Sequence, residues 1–167
     1  DMDNGLFDQM EAFLQEHPNV GLVVIDTFQK IRGAIKVREG AYASDYREAG
    51  ALKAFADTRG ICLLLVHHLR KMKDSDDLFN MISGTTGISG AADTLLVLTK
   101  EKRGDEHATL STVGREIDGG DTVLRVNKNT CRWENLGDAD WFKEQQARQE
   151  YEESPIVLTV KRLLAQS

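Results

Sequence analysis

Two unbroken apolar runs separated by an amphipathic helix constrain this chain more than any other feature. Val20-Gly21-Leu22-Val23-Val24-Ile25 is almost wholly aliphatic and stops at Asp26. Ile61 to Val66 repeats the pattern and stops at His67-His68. Strands that are apolar on both faces belong in a parallel sheet covered on both sides, whereas a half-solvated strand alternates. Ala49, Leu52, Phe55 and Ala56 lie between them at helical spacing and end at Gly60, a residue suited to the left-handed turn that closes a helix. Strand, loop, helix, strand is a βαβ unit, so the expected class is α/β with a parallel sheet.

The flanking segments extend this reading. Leu6, Phe7, Met10, Phe13 and Leu14 predict a helix over 6–16, closed by His17-Pro18 because proline has no N–H to continue it. Residues 30–44 are basic and aperiodic, and 70–83 are charged; both read as loops. Gly84 to Ala92 suggests a short helix before a third strand, Thr94 to Thr99. From there the segments shorten and alternate: Ala108 to Glu116, Thr122 to Val126 and Thr130 to Leu136. Asp118-Gly119-Gly120-Asp121 and Asn127-Lys128-Asn129 punctuate them, as expected of antiparallel hairpins. A charge-rich helix is expected over 139–151. Ser154-Pro155 then supplies an N-cap and first-turn proline for an amphipathic helix carrying Val157, Val160, Leu163 and Leu164. The polar stretch 149–154 suggests a linker, giving a core over 1–150 and the start of a further module over 151–167.

Charge and composition exclude several classes. With 167 residues, 41% of them hydrophobic, the chain can bury one real core, and a net charge of −6 rules out coating nucleic acid by bulk positive charge. The two cysteines, Cys62 and Cys131, show no metal or redox spacing and read as free thiols of a reducing compartment. No apolar run approaches the roughly 20 residues that span a bilayer, and the acidic start is no signal peptide. A cytoplasmic location is expected.

The chemistry-bearing feature is Asp26. In open α/β sheets ligands bind beyond the carboxyl ends of the strands, where a carboxylate can hold the hydrated Mg²⁺ that bridges nucleotide phosphates. An aspartate in that position also serves simply as a cap for the next helix. His67 and His68 end the neighbouring strand. Adjacent residues point to opposite faces, so only one can face a shared site; either it meets a phosphate or its attacking water, or both are edge histidines. Lys30, Arg32, Lys36 and Arg38 in the first loop, and Arg70, Lys71 and Lys73 in the second, suit phosphate contact or an ordinary solvated surface.

Val23-Val24-Ile25-Asp26, Leu52-Lys53-Ala54-Phe55-Ala56 and Leu64-Leu65-Val66-His67-His68-Leu69-Arg70-Lys71 stand in an order that resembles RepA-like and DnaB-like helicase ATPases. The resemblance continues through Ser83-Gly84, Gly90-Ala91-Ala92-Asp93-Thr94-Leu95-Leu96-Val97-Leu98 and Thr112-Val113-Gly114-Arg115-Glu116, covering residues 20–126. It implies a RecA-like core with a mostly parallel sheet flanked by helices and antiparallel hairpins at its C-terminal edge. It implies further that Asp26 is the Walker B carboxylate on Mg²⁺ and that His68 takes the place of the polar sensor. The two basic loops would grip single-stranded DNA in a hexameric ring. Lys102 and Arg103, after the third strand, would reach a neighbouring subunit's nucleotide, with Arg103 as arginine finger and Arg115 in reserve; a charged hairpin turn is the alternative.

One departure matters. G-x-x-x-x-G-K-[ST] is absent, and no glycine is followed by lysine, so nothing here cradles the phosphates of ATP. Gly84-Thr85-Thr86-Gly87-Ile88-Ser89-Gly90 is glycine-rich but lacks the lysine. In the family the phosphate loop and catalytic glutamate precede the Walker B strand. The expectation is therefore a C-terminal fragment of an ATP- and Mg²⁺-dependent DNA motor from a phage, plasmid or mobile element, inactive and without bound nucleotide by itself. A non-catalytic regulatory or DNA-binding protein on the same scaffold is the alternative. Loss of the first strand and helix should leave apolar sheet surface exposed and favour an oligomer or strand exchange.

Overall fold

The computed structural model describes residues 1–34, 40–69, 78–82, 86–102 and 104–165. They form two compact units, Asp1–Leu95 and Leu96–Ser167. The first contains helix α1 (Leu6–Glu16), strand β1 (Leu22–Asp26), a single turn α2 (Phe28–Ile31), the long helix α3 (Ala41–Arg59), strand β2 (Cys62–Val66), a 3₁₀ turn (Leu78–Met81) and the short helix α4 (Thr86–Ala91). β1 and β2 pair in parallel, Leu22 opposite Cys62 through Asp26 opposite Val66. This is the βαβ unit expected from the two apolar runs.

The core of this unit gathers around Phe28, Leu52, Ile25 and Ile88, with Leu6, Phe7, Leu63 and Leu65 packed against them. Phe28 and Leu52 are fully buried, each stabilising by about 2–3 kcal/mol relative to exposure. Gly60 closes α3 at φ +64, and its N–H reaches the carbonyls of Ala56 and Asp57; a side chain there would meet the left-handed penalty. The opposite face of the strand pair is bare: Leu22 and Val24 are 54% and 53% exposed, Leu64 and Val66 39% and 37%. Odd-numbered residues of both strands face the core and even-numbered ones face outward, as strand periodicity requires.

α3 starts at Ala41, eight residues before its first apolar mark, so the expected loop over 30–44 is shorter than its composition suggests. The reason is a polar buried face. Ser44, Asp45 and Glu48 are as buried as Ala49 and Leu52, and no hydropathy pattern registers carboxylates as core.

In the second unit β3 (Thr94–Thr99), β4 (His107–Gly114), β5 (Gly120–Asn127) and β6 (Arg132–Asp138) form one four-stranded sheet in that order, β3 beginning just before the boundary. β4, β5 and β6 are antiparallel, with a register shift at Val123/Leu124. The Asp138 carboxylate accepts hydrogen bonds from the N–H groups of Asp140 and Trp141 and so caps α5 (Ala139–Glu153). α5 continues through residues 149–153, and one residue, Ser154, separates it from α6 (Pro155–Leu164), where it acts as N-cap toward Val157 N–H. Among the described residues no helix is long and apolar enough to cross a membrane.

Candidate nucleotide site at the end of β1

Asp26 is the last residue of β1, and its side chain is exposed. Parallel pairing sets it level with Val66, the last residue of β2, so that His67 and His68 follow immediately at the same end. The strand alternation divides the two histidines. His67 is half-buried, its ring edge-on to Phe28 at 6.0 Å between centroids, whereas His68 is exposed. The peptide joining Asp26 to Thr27 is cis.

Directly after the carboxylate, α2 turns Phe28 into the core and leaves Lys30 exposed in its last turn. Arg32 ends that turn differently. Its guanidinium meets Asp45 at 2.5 Å and Glu48 at 2.8 Å, and lies over the Phe28 ring at 5.5 Å. Ser44 Oγ donates a further hydrogen bond to Glu48 at 3.3 Å, and Arg47 stands 3.8 Å from the same carboxylate. Two carboxylates only 2% exposed face an arginine 17% exposed. Burying such charges costs several kcal/mol, offset only when they are paired and hydrogen-bonded, so this cluster fixes the segment after β1 onto α3. The sequence shows Arg32 as one more cation of a basic loop; the structure shows its charge already engaged. The signal in the sequence was Asp45 and Glu48 at helical spacing beside Ala49 and Leu52, a pairing of acids with core residues.

Of the other residues singled out by sequence, Lys36, Arg38, Arg70, Lys71, Lys73 and Arg103 lie outside the described residues. Lys102 is exposed in the turn after β3, its backbone N–H held by the Asp105 carboxylate at 2.8 Å. Arg115 is exposed just beyond β4. Lys102 and Arg115 belong to the second unit, Asp26 and His68 to the first.

The chemistry of Asp26 fits a magnesium ion. Mg²⁺ keeps several waters and takes one or two carboxylates plus substrate phosphates, without an all-protein cage. Among the described residues no group of three or more His, Cys, Asp or Glu is placed to hold a metal, so a cation here would rest on Asp26, water and nucleotide oxygens. A hollow of about 330 Å³, lined by Glu16, His17, Pro18, Asn19 and Val20, lies before the amino end of β1. That is the wrong end for a ligand of an open α/β sheet.

Comparison with known proteins accords with this geometry. Residues 3–74, the segment holding β1, α3, β2 and the Asp26 end, match the model of the AAA domain family. Among solved structures, the ATPase domain of G40P superposes with a TM-score of 0.66 over 80% of this chain, at 16% identity. The chain has a RecA-like ATPase fold. It spans about half (51%) of the length of that solved chain. No curated protein matches the sequence. The first unit presents the parallel strand pair of this fold, and the second presents antiparallel strands.

Proposed function

We propose that this chain is the Walker B portion of an ATP-dependent DNA motor, a replicative helicase or DNA-dependent ATPase of a phage, plasmid or mobile element. The observation that carries the reading is the exposed carboxylate of Asp26 at the carboxyl end of β1, level with the end of β2, in a RecA-like fold. Asp26 would hold Mg²⁺, which supplies charge neutralisation to the β- and γ-phosphates when bound. His68, exposed at the neighbouring strand end, would hydrogen-bond the terminal phosphate or its water, while His67 keeps its place against Phe28. Lys30, Lys36, Arg38, Arg70, Lys71 and Lys73 would contact single-stranded DNA. Arg32 would serve as the anchor of the first loop, because phosphate contact would require it to leave Asp45 and Glu48. Lys102 and Arg103 would reach the nucleotide of the next subunit in a hexameric ring.

The chain lacks a phosphate loop, so turnover would require further protein, and alone the chain would neither bind nor hydrolyse ATP. The bare outer face of β1–β2 supports the same conclusion, since parallel strands are stable when both faces are covered. The test is ATP hydrolysis by the full-length parent, with and without single-stranded DNA, beside its Asp26→Asn variant. DNA-stimulated turnover that falls on the order of 100-fold in the variant is expected, as when one preorganised charge-stabilising group is removed from an active site. An intact parent without turnover would instead establish the regulatory or DNA-binding scaffold.

A further inference from the structure

Tyr42 and Tyr46 are large aromatic side chains that α3 leaves in solvent, 53% and 50% exposed. They lie one helical turn apart, their rings within 13° of parallel and their centroids 6.2 Å apart. Such a pair steadies a helix only slightly, and α3 is already held on its other side by the ion pairs of Asp45 and Glu48 with Arg32. Tyr46 also has α4 as a neighbour, since a Cβ on Gly90 would meet its ring at 3.7 Å. Two aligned rings thus stand on a fixed helix, with about half of each residue open.

The charges beside them identify what they suit. Lys30 is exposed in the last turn of α2, and among the described residues none pairs with its ammonium. Two residues on, Arg32 ties that segment to Asp45, next to Tyr46, and to Glu48, two residues beyond it. The cation and the rings are therefore held at the same stretch of α3. Asp45 and Glu48 are each 2% exposed and bound to Arg32, so they add no open negative charge there. The sequence between Lys30 and Tyr42 adds Lys36 and Arg38 against Glu39. Rings with cations alongside match a ligand that offers flat bases and phosphates together. Single strands do, because their bases are free to stack on aromatic side chains while Lys and Arg meet the backbone.

The geometry points to a base-stacking platform for single-stranded DNA, in which Tyr42 takes the face of an unpaired base, Tyr46 keeps the Tyr42 ring in line and Lys30 meets a nearby phosphate. This rests on the DNA-contact part of the proposed function and sharpens it, from cations that hold phosphates to rings that hold bases. Every base has a flat face, so the platform tolerates any sequence.

The test is fluorescence anisotropy of the full-length parent with two labelled strands of equal length: oligothymidine, and an abasic strand that keeps the sugars and phosphates. ATP hydrolysis with unlabelled oligothymidine is measured beside it. Tyr42→Ala should weaken oligothymidine binding about 10-fold and leave the abasic strand unchanged, whereas Tyr42→Phe, which keeps the ring, should bind both as the parent does. Lys30→Ala should weaken both strands alike and flatten the salt dependence, as loss of a phosphate contact does. The proposal is overturned if the parent binds the abasic strand as tightly as oligothymidine, or if Tyr42→Ala weakens neither strand or both equally. It is overturned too if Tyr42→Phe loses as much as Tyr42→Ala, or if Lys30→Ala spares the abasic strand. Any of these with DNA-stimulated turnover intact in the parent removes the platform alone. The expected binding pattern in a parent without turnover keeps the platform and removes the motor.

Discussion

The two sheets of this molecule meet the same requirement in opposite ways. In the second unit, β4, β5 and β6 are joined by short turns, and each strand finds its partner in the next. The Asp138 cap then leads straight into α5, which lies against β5 and β6 and reaches the start of β4: the Trp141 ring comes within 3.6 Å of where a Cβ on Gly137 would sit, and Phe142 meets the His107 ring at 5.5 Å. In the first unit, β1 and β2 are held parallel by the long α3, with Leu22, Val24, Leu64 and Val66 left in the open. Antiparallel strands tolerate one wet face, and parallel ones normally do not. The second unit exposes Leu96, Leu98 and Val113 as well, but only in the first does the exposed apolar face belong to a parallel pair.

This contrast can be broken from either side, because both tryptophans, Trp133 and Trp141, belong to the second unit. Tryptophan fluorescence then follows that unit, while far-ultraviolet circular dichroism follows both. The largest expected effect is in the first unit. Arg32→Met takes from the buried Asp45 and Glu48 the guanidinium that they share, at a cost of about 3–5 kcal/mol. Urea unfolding should show the dichroism transition shifted to lower denaturant with the fluorescence transition in place. If both move together, the units unfold as one body and the contrast fails.

A smaller change should act on the other side. Asp138→Ala removes the cap of α5, whose carboxylate accepts from Asp140 and Trp141 N–H groups at 2.9 and 3.0 Å, and costs about 1 kcal/mol. Here the fluorescence midpoint should fall, and a midpoint unchanged within error would show that the cap contributes nothing. The smallest effect concerns pH. Hydrogen bonds from Arg125 and then Asn127 hold the Glu134 carboxyl below its ordinary value of 4.5. A carboxyl lowered on folding adds stability above its unfolded value and loses it as pH falls through the folded one. The parent should therefore exceed Glu134→Gln slightly in fluorescence-monitored melting temperature at neutral pH, with the gap closing below about pH 4. A gap that persists in acid would exclude the ion pair with Arg125 as its source.

Much of the arrangement was legible in the residues, for reasons that differ from element to element. β1 and β2 announce themselves because an unbroken aliphatic run suits a strand of a parallel sheet, although one face of this pair is exposed. The different exposure of His67 and His68 follows from strand periodicity. The first half of α3 was hidden because its buried side is Ser44, Asp45 and Glu48, and a carboxylate becomes a core residue only when a distant arginine arrives to match it. Arg32 was concealed by the same long-range pairing. Residues 149–153 look like a linker by polarity, yet Gln149 to Glu153 and Arg148 to Glu152 contacts one helical turn apart sustain α5 through them.

The parallel register of β1 and β2 also sets an order of events. A hairpin sheet assembles from neighbours in sequence, within microseconds to milliseconds where contacts are local, whereas β1 cannot find β2 until all of α2 and α3 has been made and brought back. During synthesis the aliphatic run ending at Asp26 leaves the ribosome well before its partner strand. For that interval this sticky segment lacks β2, and a stretch open to chaperones and to aggregation is the one that ends in the candidate magnesium ligand.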